Sequence, residues 1–218
     1  NKRFKRSSKK LLKILVSVSL FVLIFAIISG LLVYRVYKKG VNTSSSVKNL
    51  VEAIKLQDLE KIKSEISSTE NSVSELQESY NTLLWMKFIP FLGSYISDGE
   101  HAVSASKYGL EIVEVVVNII EPYADIIGLK NGQQAKSGQE TAQERLDFII
   151  KTIPDIVPKA DELIKKVQLV RVELDNIDPD RYPKKVRDIE VRSKIEKGFE
   201  LVDTSSELLE RSKPLLEA

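Results

Sequence analysis

Side chains able to hold a proton, a metal or a reactive electron pair are scarce in this chain. Its 218 residues include one His and no Cys. That excludes a thiolate nucleophile, a disulfide framework, a thiolate metal site and any site built on several histidines. One cluster has suitable residue types: Asp98, Glu100 and His101, two acids and an imidazole that can serve as metal ligands or as an acid–base pair. Their position argues for a plainer role. They fall in the first turns of an expected helix, where the dipole favours Asp and Glu, and no further ligand is spaced to complete a metal shell. Gly132–Ser137 (GQQAKS) lacks the spacing of a phosphate-binding loop, and no strand precedes it. No G-x-S-x-G elbow accompanies the many serines. Asn42-Thr43-Ser44 is formally a glycosylation sequon, relevant only in a eukaryotic host and equally explained by chance. The expectation is a protein that is not an enzyme, with no catalytic residue, metal, cofactor or evident small-molecule substrate.

A second cluster has no reactive groups. Trp85, Met86, Phe88, Ile89, Pro90, Phe91, Leu92 and Tyr95 form the densest apolar and aromatic stretch outside the N-terminal run. Packing predicts a plug that closes the end of a helical bundle where one helix turns into the next. The alternative is a surface that touches lipid headgroups or a partner, because amphipathic aromatics favour interfaces. Trp85, Met86, Phe88, Phe91 and Tyr95 are its candidate interface residues.

The elements that position these residues begin with a membrane anchor. Ile14 to Tyr34 gives 21 residues without a charge, enough to span a hydrocarbon core as a helix. The run is too long for a signal-peptide core and ends without an A-x-A cleavage pattern. Tyr34 and Tyr37 sit where interfacial aromatics are expected. Seven Lys/Arg precede the run and three follow it closely, which predicts a cytoplasmic N-terminus and an extracytoplasmic body. The arm Lys2–Lys13 is expected to lie on anionic headgroups. The chain begins with Asn1 rather than Met, so residues before it are expected.

Charge is segregated in the same way. Of 33 Lys+Arg and 31 Asp+Glu, ten basic residues and no acidic one lie in the first 40 positions, leaving 23 basic against 31 acidic residues in the body. A nucleic-acid binder would carry its basic patch on the folded domain, so nucleic acid is not an expected partner.

The body reads as helix. Leu59, Ile62, Ile66, Thr69, Val73, Leu76, Tyr80 and Leu83 recur at three–four intervals, with a polar lapse at Thr69. Leu146, Ile149, Ile153, Ile156, Ala160, Leu163, Val167, Val170, Leu174 and Ile177 do so without a lapse, their phase passing through Pro154 and Pro158. Such seams mark helices packing lengthwise on one another. The predicted fold is all-α: one N-terminal transmembrane helix, then an elongated antiparallel bundle of about four to five helices. The predicted organisation is a basic arm over 1–13, the span over 14–34, a polar linker over 35–46 and a bundle over 47–218. Within the bundle, helices are predicted at about 45–56, 59–86, 95–128 with a kink near Pro122, 140–176 and 185–213. Asp58 is the predicted N-cap of the second, and turns are expected at Phe88–Gly93, Asn131–Gln139 and Asp178–Pro183. Self-pairing of the narrow Leu59–Leu83 seam is the alternative to an intramolecular bundle.

The order of features resembles a known family. A basic arm and single span are followed by AIKLQDLEKIKSEI (Ala53–Ile66), LLWMKFIPFLGSYISDGEHAV (Leu83–Val103), EPYADIIGL (Glu121–Leu129) and IDPDRYP (Ile177–Pro183). This is similar to the N-terminal region of bacterial proteins with the domain of unknown function 4012. Pro90, Leu92, Gly93, Tyr95 and Asp98 match that family's P-x-L-G-x-Y-x-x-D pattern. The resemblance implies a cell-envelope protein, linked to surface polysaccharide, with its namesake domain expected beyond a helix like Glu200–Leu216. It transfers no catalytic residue. The expected function is a non-enzymatic, single-pass envelope protein whose helical stalk presents a C-terminal domain, with the lipid bilayer and either a second copy or an envelope protein as partners. The alternatives are an extracytoplasmic ligand-sensing bundle and the non-catalytic part of a cell-envelope polysaccharide enzyme.

Overall fold

The computed structural model describes the backbone of residues 2–124, 140–185 and 190–217, with side chains over 12–124, 157–185, 190–211 and at 214. Among the described residues there are five α-helices and no strand: α1 (Lys2–Lys55), α2 (Leu59–Asn81), α3 (Gly93–Ile120), α4 (Glu140–Asp175) and α5 (Val191–Glu217). Short 3-10 turns lie at Leu84–Phe88, Glu121–Tyr123 and Pro179–Arg181. The expected loop at Asn131–Gln139, with the Gly132–Ser137 segment, lies outside the described residues.

Each helix packs chiefly on its neighbours in sequence and runs antiparallel to them. Paired contacts set the direction: Lys39–Glu75 and Thr43–Ser72 between α1 and α2, Glu111–Lys166 and His101–Glu173 between α3 and α4, and Arg171–Asp203 with the approach of Gly198 to Leu174 between α4 and α5. The result is an all-α bundle, as the seams predict. Its best-sealed region lies where α1, α2 and α3 meet, built on Leu50, Ala53, Leu59, Ile62, Ile66 and Val117.

The expected linker over 35–46 is absent. α1 is one helix of 54 residues that continues through it and absorbs the separate helix predicted at 45–56. Gly40, Thr43 and Ser44–Ser46 are weak helix formers, but α2 supplies what propensity lacks. The Thr43 hydroxyl sits 2.9 Å from the Ser72 carbonyl oxygen, the Ser46 and Ser72 hydroxyls meet at 2.8 Å, and Lys39 Nζ reaches Glu75 at 2.5 Å. Apart from Gly40, the covered positions of α1 among the described side chains are Ser29, Leu32, Val36, Lys39, Thr43, Ser46, Leu50 and Ala53. They alternate at three and four residues, so one continuous seam starts inside the uncharged run and ends in the core. By length and composition, α1 is the one described helix able to cross a membrane.

α2 begins as expected. The Asp58 side chain accepts from the Lys61 amide at 3.1 Å, satisfying one of the free N–H groups of the first turn. Its seam is buried at Leu59, Ile62, Ile66, Thr69 and Val73. Thr69 tolerates burial because its hydroxyl donates to the Glu65 carbonyl at 2.7 Å. α2 stops at Asn81, short of the predicted 86. α3 ends at Ile120, where Pro122 belongs to a 3-10 turn rather than a kinked helix. α4 passes through Pro154 and Pro158 as one helix. Its seam is buried at Ala160, Leu163, Val167 and Val170, and continues to Ile177 beyond the helix end.

Candidate functional site

The turn between α2 and α3 gathers the candidate interface residues, and the structure divides them. Leu83 and Met86 point inward and are buried. The backbone then tightens: Ile89 N–H donates to Met86, Gly93 N–H donates to Ile89, and Phe91 adopts φ 69°. A left-handed phenylalanine is strained, since Cβ crowds the following carbonyl by about 1 kcal/mol or more. At Gly93 even a Cβ would meet the Lys87 carbonyl oxygen, so only glycine lets α3 start here.

Phe88 and Phe91 do not plug the bundle. They are 90% and 92% exposed, with Trp85, Leu92 and Tyr95 also exposed. The plug expectation therefore holds for Met86 and fails for the phenylalanines: in a 3-10 turn residues three apart share a face, which sets Met86 on the inner side with Leu83 and Phe88 on the outer side with Trp85. Leaving a phenylalanine in water forgoes about 2 kcal/mol of burial. The Trp85 ring lies 5.2 Å from that of Phe25, edge to face at 71°. Phe25 belongs to the uncharged run of α1, so the turn stands beside that run rather than above it.

Just above the turn, Asp98 is 2% exposed. Its carboxylate accepts from Arg181 Nη1 at 2.5 Å and from the Tyr182 hydroxyl at 3.1 Å. Tyr95 donates to the Arg181 carbonyl at 3.3 Å, and its ring packs edge to face on Tyr182 at 5.6 Å. Arg192 closes the far side, donating to the Tyr182 carbonyl at 2.7 Å and pairing with Asp180 at 3.0 Å. Tyr80 donates to the Ile96 carbonyl at 2.8 Å, in a space that any Cβ on Gly99 would occupy. Two motifs that are landmarks far apart in the sequence thus meet: Tyr95 and Asp98 of one, Arg181 and Tyr182 of the other.

This cluster clamps the α4–α5 turn onto α3. Its hydrogen bond to Asp98 raises the Arg181 pKa, keeping the guanidinium charged. Burial pushes the Tyr80 hydroxyl up to about 12, helped by the charges of Glu100 and Asp98. Burial and then the Asp98 charge raise Tyr182. Each group is held in its ordinary protonation state, which suits a clamp rather than proton transfer.

Asp98, Glu100 and His101 do not converge. Glu100 pairs with Lys87, and His101 Nδ1 donates to Glu173 at 2.7 Å. Among the described residues no group of three His, Cys, Asp or Glu side chains could hold a metal ion. Open grooves flank the bundle among the described residues. One of about 200 Å³ between α2 and α3 includes Ile66, Glu70, Lys107 and Glu111. Another, of about 380 Å³ between α3, α4 and α5, is apolar and includes Val116, Leu163, Val167 and Leu201. No family model, curated protein or solved structure matches the chain.

Proposed function

We propose that the protein is a non-enzymatic, single-pass envelope protein, a helical stalk with its N-terminus in the cytoplasm and its body outside. The observation that carries this reading is the continuity of α1, whose covered seam runs from Ser29 in the uncharged stretch to Ala53 in the core. A helix that enters the core of the body transmits the membrane's position and tilt to it, which a flexible linker would not. The asymmetry of basic residues around the run supports a cytoplasmic N-terminus. The named motifs, which alone carry the family resemblance, support a role in presenting a further domain at the cell surface. The open apolar groove along α3, α4 and α5 lacks the convergent polar groups that fix a small ligand's orientation.

Protease digestion of intact cells expressing the full chain with a C-terminal tag tests this. Digestion of the body with survival of the N-terminal arm is the expected result. Protection of the body until the cells are lysed would place it in the cytoplasm and overturn the reading.

A further inference from the structure

The α2–α3 turn lies at a depth set by the register of α1 against α2. Lys39–Glu75 and Thr43–Ser72 fix that antiparallel register. Carried along the seam, it brings Tyr80 level with Tyr34, the last residue of the uncharged run. Beyond that level, on the side of the span, the chain from Ser79 to Ser97 carries one charge, Lys87. Trp85 meets Phe25, which lies nine positions before Tyr34, about 13 Å farther along a helix rising 1.5 Å per residue. Lys87 pairs with Glu100, on the second turn of α3, as a lysine does when its stem lies in an apolar layer and its ammonium reaches back to the boundary. The Asp98–Arg181–Tyr182 clamp lies close to the Tyr80 level, since Tyr80 bonds Ile96. Next to it, Lys184 and Lys185 are exposed, where anionic headgroups would attract them.

We propose that the α2–α3 turn is a wedge inserted into the outer leaflet beside α1. Trp85, Phe88, Phe91 and Leu92 enter the acyl layer, while Tyr95, Tyr182, Lys184 and Lys185 lie at the headgroups. This rests on the reading that α1 crosses the bilayer with the body outside. The occupant is lipid because the turn sits beside the apolar run itself, where the medium is hydrocarbon. The wedge gives the stalk a second point of attachment and fixes its angle to the membrane.

The single tryptophan is a native reporter of this depth. The full chain is reconstituted in phosphatidylethanolamine–phosphatidylglycerol vesicles, with or without bromine on the acyl chains, and Trp85 emission is read against aqueous iodide. Bromolipid is expected to remove most of the emission, and iodide little of it. Strong iodide quenching with no bromolipid effect would overturn the wedge. A Trp85→Phe, Phe21→Trp variant reports on the span alone. If bromolipid quenches it but not Trp85, the wedge fails while the crossing stands; if it is not quenched either, the crossing reading falls too. Phe88→Ser with Phe91→Ser is expected to open Trp85 to iodide, and an unchanged response would contradict the assigned role of the phenylalanines. Trp85→Phe with Phe88→Trp keeps the turn aromatic and is expected to be quenched by bromolipid; iodide access there would likewise overturn the proposal.

Discussion

The two ends of α2 turn by the same backbone device with opposite side chains. At one end Gln57 takes φ 55°, between Leu56 and the capping Asp58. Ala53 and Leu59 seal the core immediately behind it. At the other end Phe91 takes φ 69° and projects almost wholly free of the protein. A polar amide in the left-handed region at a water-facing turn is ordinary. A phenylalanine there carries the backbone strain and exposes its ring as well, so the turn geometry does not account for it. Under the wedge proposal the surrounding medium does: the first turn faces water and the second faces hydrocarbon.

The largest effects that separate the two ends come from their buried groups. Leu59→Ala removes a sealed core side chain and is expected to cost about 3 kcal/mol. Asp98→Ala leaves Arg181 and the Tyr182 hydroxyl without their acceptor and is expected to cost a similar amount, about 3 kcal/mol. Circular dichroism melts of the full chain in detergent measure both losses. Trp85 emission in vesicles separates them: Asp98→Ala is expected to shift it to the red by loosening the turn beneath the clamp, and Leu59→Ala to leave it unchanged. Equal shifts would erase the distinction between the ends.

Asp58→Ala is a smaller step, with an expected loss of about 1 kcal/mol for the N-cap and no change at Trp85. Smallest in stability is the pair Gln57→Gly and Phe91→Gly. Glycine relieves the left-handed strain but loses more chain entropy on folding, for an expected net gain of about 0.5 kcal/mol at Gln57. Phe91→Gly relieves the same strain and also deletes a ring that, under the wedge proposal, faces lipid. It is expected to raise iodide access to Trp85 in vesicles, where Gln57→Gly does not. Matching behaviour of the two variants would show that both turns meet the same solvent.

Much of the bundle was legible because seams of three and four report helix packing directly. Leu59, Ile62, Ile66 and Val73 are buried where their spacing places them, and Asp58 caps where its residue type predicts. Positions 35–46 misled because local propensity ignores partners. Thr43 and Ser46 are poor helix formers that become seam residues once Ser72 faces them. Composition marked the aromatic turn as unusual, but it does not tell which side of a 3-10 turn faces out, and that separates Met86 from Phe88. Asp98 looked like ordinary helix-start chemistry because Arg181, its partner, is 83 positions away. The two motifs that hold these residues were both visible, and the antiparallel stacking of α3 on α4 brings them together.

One unbroken helix joins the uncharged run to the core of the body. The chain has no native cysteine, so spin labels on Phe21→Cys and Val51→Cys, both at exposed positions of α1, read its length directly in a bilayer. Thirty positions of continuous helix separate them, about 45 Å at 1.5 Å per residue. Pulsed electron–electron resonance is predicted to give one narrow distribution at that distance. A broad distribution centred well below it would mean that the chain hinges between the run and the body, so that α1 is not one rigid helix.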